Sequence, residues 1–217
     1  LLTEPREGLV IVDTTTAEPS STRMLGALAA EKGVGFVDAP LTRGPAQAEA
    51  GELNTMVGGG HAHVEKALPV IETYSVYQLR TGGLGTGHTL KLVNNTIIQA
   101  FCSAVAEGFS VAAGAGMDAK LVEEILSQGG MNSANLHTMG KALEQDYSGM
   151  EFYIDNARKD VRYYTRLAGD LGLVSVMGDA AHQALSVASR LGYGQSFVPE
   201  LVNAVAELNR VEVRPNE

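Results

Sequence analysis

The spacing of hydrophobic and polar positions changes near residue 84. Before that point, short apolar runs end in polar or glycine-rich stretches, and helical spacing between them predicts helices at about 19–32 and 61–73. The first run has no polar position, which is typical of a strand buried on both faces of a parallel sheet. Strands that alternate with helices indicate an open α/β sheet. The predicted strands are Leu9–Val12, Gly35–Ala39, Leu53–Val57 and Val76–Leu79.

After residue 84 the strand signals stop and glycine-punctuated helical patterns continue to the end. We therefore predict an α/β domain over residues 1–84 and an all-α domain over residues 85–217, built on its first long helix. Asp118 is expected to cap the second helix. The predicted helices cover 88–113, 119–128, 133–145, 153–171, 179–190 and 198–210.

Polar residues collect where chemistry is expected. The loops 13–16 and 40–44 follow predicted strands, and ligands of open α/β sheets bind at the carboxyl ends of strands. Lys91, Asn94 and Asn95 share one face near the start of the long helix. A lysine beside a buried stripe either extends to solvent or faces a partner, a ligand or a wet cleft.

The net charge of −9 argues against nucleic acid or an anionic membrane as a partner. No uninterrupted apolar run approaches the ~20 residues that span a bilayer. A single cysteine, Cys102, excludes an internal disulfide, which suits a reducing compartment, so we expect a cytoplasmic protein. Cys102 itself is expected in the core. No metal-binding spacing is present. Surface or capping positions are expected for the histidines, His61, His63, His88, His137 and His182.

Four motifs, in order, resemble those of the β-hydroxyacid dehydrogenases, the group that includes 3-hydroxyisobutyrate dehydrogenase and tartronate semialdehyde reductase. Asp13–Pro19 is similar to D-x-S-T-x-x-P, and Asp38–Gly44 to D-A-P-V-S-G-G. Gly85-x-Gly87-x-x-x-Lys91-x-x-Asn94-Asn95 resembles the catalytic-helix motif. Phe152, followed seven residues later by Lys159-Asp160, resembles a late F…K-D element. The resemblance extends over residues 8–208.

This resemblance implies the C-terminal part of a Rossmann-type domain followed by an all-α domain, with NAD or NADP as the cofactor. It implies a small anionic hydroxy acid or semialdehyde as substrate and a homo-oligomer, either dimer or tetramer. No G-x-G-x-x-G turn opens the chain, so we expect roughly 60–90 further residues of the nucleotide-binding half upstream. The chain alone is then expected to be inactive.

The resemblance also assigns roles to residues. Lys91 would be the general acid/base, and Asn95 would hold the lysine and the substrate hydroxyl in register. Thr16 fits a helix cap equally well, and Phe152 fits the core as well as a cofactor contact. Arg43 replaces a glycine of the family's loop and would either clamp an anion or lie in solvent. Cofactor contacts would be Thr16, Phe152 and Lys159, and substrate contacts Thr42, Arg43, Gly44 and Asn94.

Three alternatives stay open. Phosphogluconate dehydrogenases share a Gly-His-x-x-Lys start, but they carry a histidine where Asn94 stands here and have a longer C-terminal region. Imine reductases of related fold usually lack the lysine. A non-catalytic binding or assembly module would also be expected to lose Lys91, and the Ala-rich face from Ala104 to Ala113 could serve an interface between subunits.

Overall fold

The computed structural model of the protein describes residues 3–213, which form five strands and nine α-helices. The strands are β1 (Val10–Asp13), β2 (Gly35–Asp38), β3 (Leu41–Thr42), β4 (Leu53–Gly59) and β5 (Ser75–Gly82). The helices are α1 (Pro19–Ala30), α2 (Pro45–Glu49), α3 (His61–Ile71), α4 (Thr86–Gly114), α5 (Lys120–Ser127), α6 (Ala134–Lys141), α7 (Ile154–Asp170), α8 (Val176–Arg190) and α9 (Leu201–Asn209).

Contacts divide the chain into two compact units. The first consists of Leu1–Asn94 with Arg166–Gly172, and the second of Asn95–Thr165 with Leu173–Glu217. This division falls inside α4, whereas the boundary predicted at residue 84 falls just before that helix.

The first unit contains a mixed sheet. Its strand order is β1-β2-β4-β3, and β5 also pairs with β4. The pairs β1/β2 and β4/β5 are parallel, while β2/β4 and β3/β4 are antiparallel. Helices α1 and α3 cover the sheet with small and branched apolar side chains such as Ala29, Ala67 and Ile71. The α/β architecture expected from the sequence is therefore present.

The first strand is less buried than its sequence predicts. All four residues of β1 are only partly buried, whereas all four of β2 are fully buried. The reason is position, because β1 lies at the end of the strand order and pairs with β2 alone among the described strands. The expectation that Leu9–Val12 is buried on both faces was wrong.

Two short elements, β3 and α2, lie between β2 and β4, where the sequence predicted only the loop 40–44. Pro45 stands at the first position of α2, where its missing N–H costs nothing. The Gln47 side chain accepts the Gly44 N–H at 3.1 Å, which ties the helix start to the residue before it. This segment is therefore held by hydrogen bonds on both sides of Arg43.

Helix α4 supplies much of the core of the second unit. Cys102, Val105, Ala106 and Phe109 recur at helical spacing and are buried against the other helices of that unit. The core position predicted for Cys102 is confirmed, and burial raises the pKa of its thiol to about 12. By length and composition α4 could cross a membrane, a property overlooked in the sequence because polar residues interrupt its apolar run. Buried core helices of globular proteins share this composition.

Candidate active site

The loop after β1 is fixed by its own side chains. Asp13 Oδ1 accepts hydrogen bonds from the Thr15 N–H at 3.0 Å and from Thr15 Oγ1 at 2.7 Å. Thr16, partly buried, follows directly. Asp13 lies opposite Asp38 in the parallel β1/β2 pair, and the Ala39 N–H donates to the Asp13 carbonyl at 2.7 Å. The loops that follow β1 and β2 therefore leave the sheet at the same edge.

A buried carboxylate holds the start of α4 at this edge. The Asp38 side chain is fully buried, and its two oxygens accept the backbone N–H groups of Gly85 and His88, each at 2.8 Å. Both N–H groups belong to the end of the helix that carries partial positive charge, which favours an anion there. Asp38 therefore caps α4 from a strand 47 residues earlier in the chain.

The Gly85-x-Gly87 spacing has a steric cause. Gly85 adopts φ +89°, a conformation that favours glycine. A Cβ on Gly87 would lie 2.5 Å from the Met56 carbonyl oxygen, and a Cβ on Gly58 would lie 2.6 Å from Asp38 Oδ1. The first turn of α4 thus packs directly on the backbone of β4, which only glycine at these positions permits.

His88 is a functional candidate that the sequence reasoning missed. Its side chain is fully buried, which contradicts the surface or capping position expected for it. Nδ1 lies 2.7 Å from Thr22 Oγ1, and Nε2 lies 3.1 Å from the Thr15 carbonyl oxygen. Helical phase carried the signal, because Leu92 and Asn95, four and seven residues later, are also buried.

Lys91 and Asn94 follow on the same helix and belong to the first unit. Both side chains are partly buried, and each makes contacts within the protein. Lys91 lies three residues after His88, less than one helical turn. The first unit therefore brings together the loop after β1, the loop after β2 and the helix start that carries Lys91.

The predicted substrate loop has a defined backbone. Thr42 pairs with Asn54 across β3/β4, and Gly44 is extended. Arg43 adopts φ +79°, which explains the glycine that the family's motif has there. Its exposed guanidinium donates through Nη1 to the Glu52 carbonyl oxygen at 2.9 Å. The side chain thus braces this loop against the residue that precedes β4.

In the second unit, Asp160 fixes the amide of Asn95. Both residues are buried, and Asn95 Nδ2 donates to Asp160 Oδ2 at 2.7 Å. Lys159 Nζ lies 3.2 Å from Asp160 Oδ1 and 5.4 Å from the centroid of the Tyr163 ring. With Nδ2 committed to Asp160, Oδ1 is the accepting end of the Asn95 amide. Asp160 was quoted in the sequence motif but given no role.

Phe152 lies just before α7. Its partly buried ring packs against the core of the second unit, and its carbonyl accepts the Val198 N–H at 2.9 Å. This packing supplies the core role considered for Phe152, and a cofactor contact remains a prediction. Within residues 3–213, no three His, Cys, Asp or Glu side chains are grouped so that they could hold a metal ion.

Comparison with known families decides the relationship. Residues 85–205, more than half of the 217, match the family model described as NAD-binding of NADP-dependent 3-hydroxyisobutyrate dehydrogenase. Residues 1–83 match the NAD binding domain of 6-phosphogluconate dehydrogenase. The chain belongs to the β-hydroxyacid dehydrogenase family. Both matched models are of NAD-binding domains, which confirms NAD or NADP as the cofactor class.

Individual relatives agree with this placement. An uncharacterized oxidoreductase of Shewanella frigidimarina is 36% identical over 154 residues, 71% of this chain and 53% of the relative. The 2-(hydroxymethyl)glutarate dehydrogenase of Eubacterium barkeri is 28% identical over 98% of this chain and 71% of its own length. The chain thus spans about half of the first relative and under three quarters of the second.

The fold comparison points the same way. Mycobacterium tuberculosis 3-hydroxyisobutyrate dehydrogenase, solved with L-serine, superposes with a TM-score of 0.82 at 22% identity, over 92% of this chain and 71% of that chain. This similarity confirms the predicted fold, a Rossmann-type domain followed by a helical domain. Within this chain, the loops after β1 and β2 leave the sheet at its carboxyl edge, where ligands of open α/β sheets bind.

Proposed function

We propose that the protein is an NAD(P)-dependent dehydrogenase that interconverts a small β-hydroxy acid and its semialdehyde. The observation that carries the proposal is the Gly-x-Gly-x-x-x-Lys-x-x-Asn-Asn segment on α4, inside the region that matches the dehydrogenase family model. The chain covers only part of its relatives, so the proposal concerns the full-length protein.

Lys91 is the proposed general acid/base. In the oxidative direction its amine takes the proton from the substrate hydroxyl, and in the reductive direction it returns that proton to the carbonyl oxygen. NAD(P) accepts or donates the hydride when bound. Asn95, one helical turn after Lys91, orients the lysine and the substrate hydroxyl, and its amide direction is set by Asp160.

The remaining residues bind and orient. The Thr42 hydroxyl and the backbone around Gly44 hold the substrate carboxylate together with Asn94. Arg43 supports this loop through Glu52, and the rest of its guanidinium favours an anionic substrate. Thr16 is the proposed contact to the nicotinamide end of the cofactor, and Phe152 and Lys159 are further proposed cofactor contacts. Each of these roles is a proposal.

One family match favours a second candidate function. Residues 1–83 match a domain of 6-phosphogluconate dehydrogenase, so a phosphorylated sugar acid is the competing substrate. Asn94 counts against it, because a histidine is expected at that position in those enzymes.

We also propose a cytoplasmic homo-oligomer, dimer or tetramer, assembled partly through the Ala-rich face of α4.

The test uses full-length protein, NAD and NADP, and a panel of C3 to C4 hydroxy acids, 2-(hydroxymethyl)glutarate and 6-phosphogluconate. Lys91→Ala is expected to lower kcat for the preferred substrate by about 10²–10⁴-fold, the usual contribution of a general acid/base. NAD(P)H binding should change by less than about threefold, because the cofactor is held elsewhere. Added methylamine should partly restore turnover if the lost group is a proton carrier.

Lys141→Ala is the matched control, because Lys141 is an exposed lysine at the end of α6. This variant should turn over substrate at the wild-type rate. Undiminished turnover by Lys91→Ala would contradict the assignment. A wild-type protein that neither binds NAD(P)H nor turns over any acid in the panel would instead indicate a non-catalytic module.

A further inference from the structure

His88 connects two parts of the first unit, the loop after β1 and the start of α4, whose relative position matters for the proposed reaction. Its backbone N–H is held by Asp38, and its ring reaches the loop after β1. That loop carries Thr16, and the helix that begins at Thr86 carries Lys91. We propose that His88 is a positioning residue, which fixes the nicotinamide-side loop relative to the acid/base lysine. This inference rests on the proposed function.

The hydrogen-bond inventory assigns the ring nitrogens. The Thr15 carbonyl can only accept, so His88 Nε2 carries the hydrogen and donates across 3.1 Å. In a neutral ring Nδ1 then accepts from the Thr22 hydroxyl at 2.7 Å. The same hydroxyl also lies 3.2 Å from the Glu18 carbonyl, but it has one hydrogen, and the shorter contact is the stronger bond.

The two ring contacts bracket the loop. Thr15 directly precedes Thr16, and Thr22 lies in the first turns of α1, beyond the loop. His88 and Thr22 are both almost completely buried, so water cannot replace either bond at little cost. Asp38 Oδ2 lies 3.9 Å from Nδ1, outside hydrogen-bond range, and holds the residue through its backbone. The ring therefore joins loop and helix without taking part in proton transfer to substrate.

Two substitutions separate the ring contacts. The amide nitrogen of glutamine stands as far along the side chain as Nε2, so His88→Gln can still donate to the Thr15 carbonyl. The amide of asparagine stands where Nδ1 was, so His88→Asn loses that bond. Thr22 offers a second pair, since Thr22→Ser keeps the hydroxyl and Thr22→Val removes it at nearly constant volume.

The first measurement is amide hydrogen exchange in cofactor-free, full-length protein. Loss of one hydrogen bond corresponds to about a tenfold change. His88→Asn loses the bond to the Thr15 carbonyl, and Thr22→Val leaves the buried Nδ1 without a donor, so both are expected to speed exchange over residues 14–18 by about tenfold. In His88→Gln no ring nitrogen is left unpaired and the Thr22 hydroxyl can donate to the Glu18 carbonyl at 3.2 Å. His88→Gln and Thr22→Ser should therefore stay within about threefold of wild type. Unchanged exchange in both His88→Asn and Thr22→Val would overturn the proposal. If His88→Asn does not fold, the Thr22 pair decides alone.

The second measurement is steady-state kinetics with NAD(P)H titration. His88→Asn should raise the cofactor Kd by about tenfold and lower kcat, while the KM for the hydroxy acid changes little. A purely structural role would instead lower the melting temperature of His88→Asn and His88→Gln alike, with equal kinetics per folded molecule, and would overturn the proposal. Failure of the proposed function would give a different result. Wild-type protein would then not bind NAD(P)H, although hydrogen exchange in the loop would still respond to the His88 and Thr22 substitutions.

Discussion

The cap supplied by Asp38 leads to the sharpest stability prediction. Asparagine has the shape of aspartate but only one accepting oxygen. In Asp38→Asn, one of the two N–H groups, from Gly85 or His88, therefore loses its acceptor and faces an NH₂ group instead. Because the substitution preserves side-chain volume, a change in stability cannot be attributed to altered packing.

Two losses set the magnitude. A buried hydrogen bond to a charged group contributes ~1.5–3 kcal/mol. The carboxylate at the positive end of α4 adds up to ~2 kcal/mol in a buried geometry, partly offset because a neutral amide is cheaper to bury. We expect a loss of about 2–4 kcal/mol in the free energy of unfolding, which for a chain of this size lowers Tm by roughly 5–15 °C.

The assay is urea unfolding followed by circular dichroism, with hydrogen exchange at the Gly85 and His88 amides as the local measurement. Asp118→Asn is the matched control, since Asp118 Oδ1 accepts a single N–H, from Lys120 at 2.9 Å, in a half-buried position. It should cost at most ~1 kcal/mol. Equal losses in the two variants, or unchanged exchange at both the Gly85 and the His88 amides, would refute the reasoning.

Two further predictions concern the second unit. Burial, and to a smaller extent the charges of Arg158 and Arg162, lowers the pKa of His182 in the folded protein. Neutral His182 therefore stabilises the fold fully above the unfolded pKa of about 6.5, and this stability is lost as pH falls toward the folded pKa. In wild type the urea midpoint should be lower at pH 5.5 than at pH 7.5, and His182→Gln should make this difference smaller. An unchanged difference would contradict the prediction. His61→Gln is the control, because His61 is exposed. Val111 on α4 is 71% exposed beside a cavity of about 470 Å³ formed with α8 and α9. Val111→Asp should lower the molar mass measured by light scattering, whereas Val70→Asp, at a 62% exposed position on α3, should not.

Most helices and strands could be predicted because the pattern of each lies within a short stretch of sequence. The apolar stripe of α4 repeats for about eight turns, and its predicted range of 88–113 agrees with the observed Thr86–Gly114. The two-residue β3 and the five-residue α2 are too short to show a period. The partial burial of β1 depends on which strands lie beside it, and this information is absent from the run Leu9–Val12 itself.

The candidate site divides in the same way. Lys91 and Asn95 stand out because their spacing on one helix is part of a recognisable motif. The cap joins Asp38 to Gly85, and no short-range pattern relates residues that far apart. His88 was misplaced because histidine as a residue type is intermediate in burial, so its identity does not indicate a buried position. Its helical phase with Leu92 placed it on the buried side of α4.

The cap of α4 also has a consequence for the order of folding. The centre of the helix can form from local contacts, but its first turn needs an acceptor on β2 and a surface on β4. Closing so long a loop has an entropic cost that must be met before its contacts stabilise the chain. We therefore expect the turn that leads into Lys91 to be among the last parts of the first unit to become ordered. On this expectation the proposed catalytic group takes its place only after the sheet has assembled.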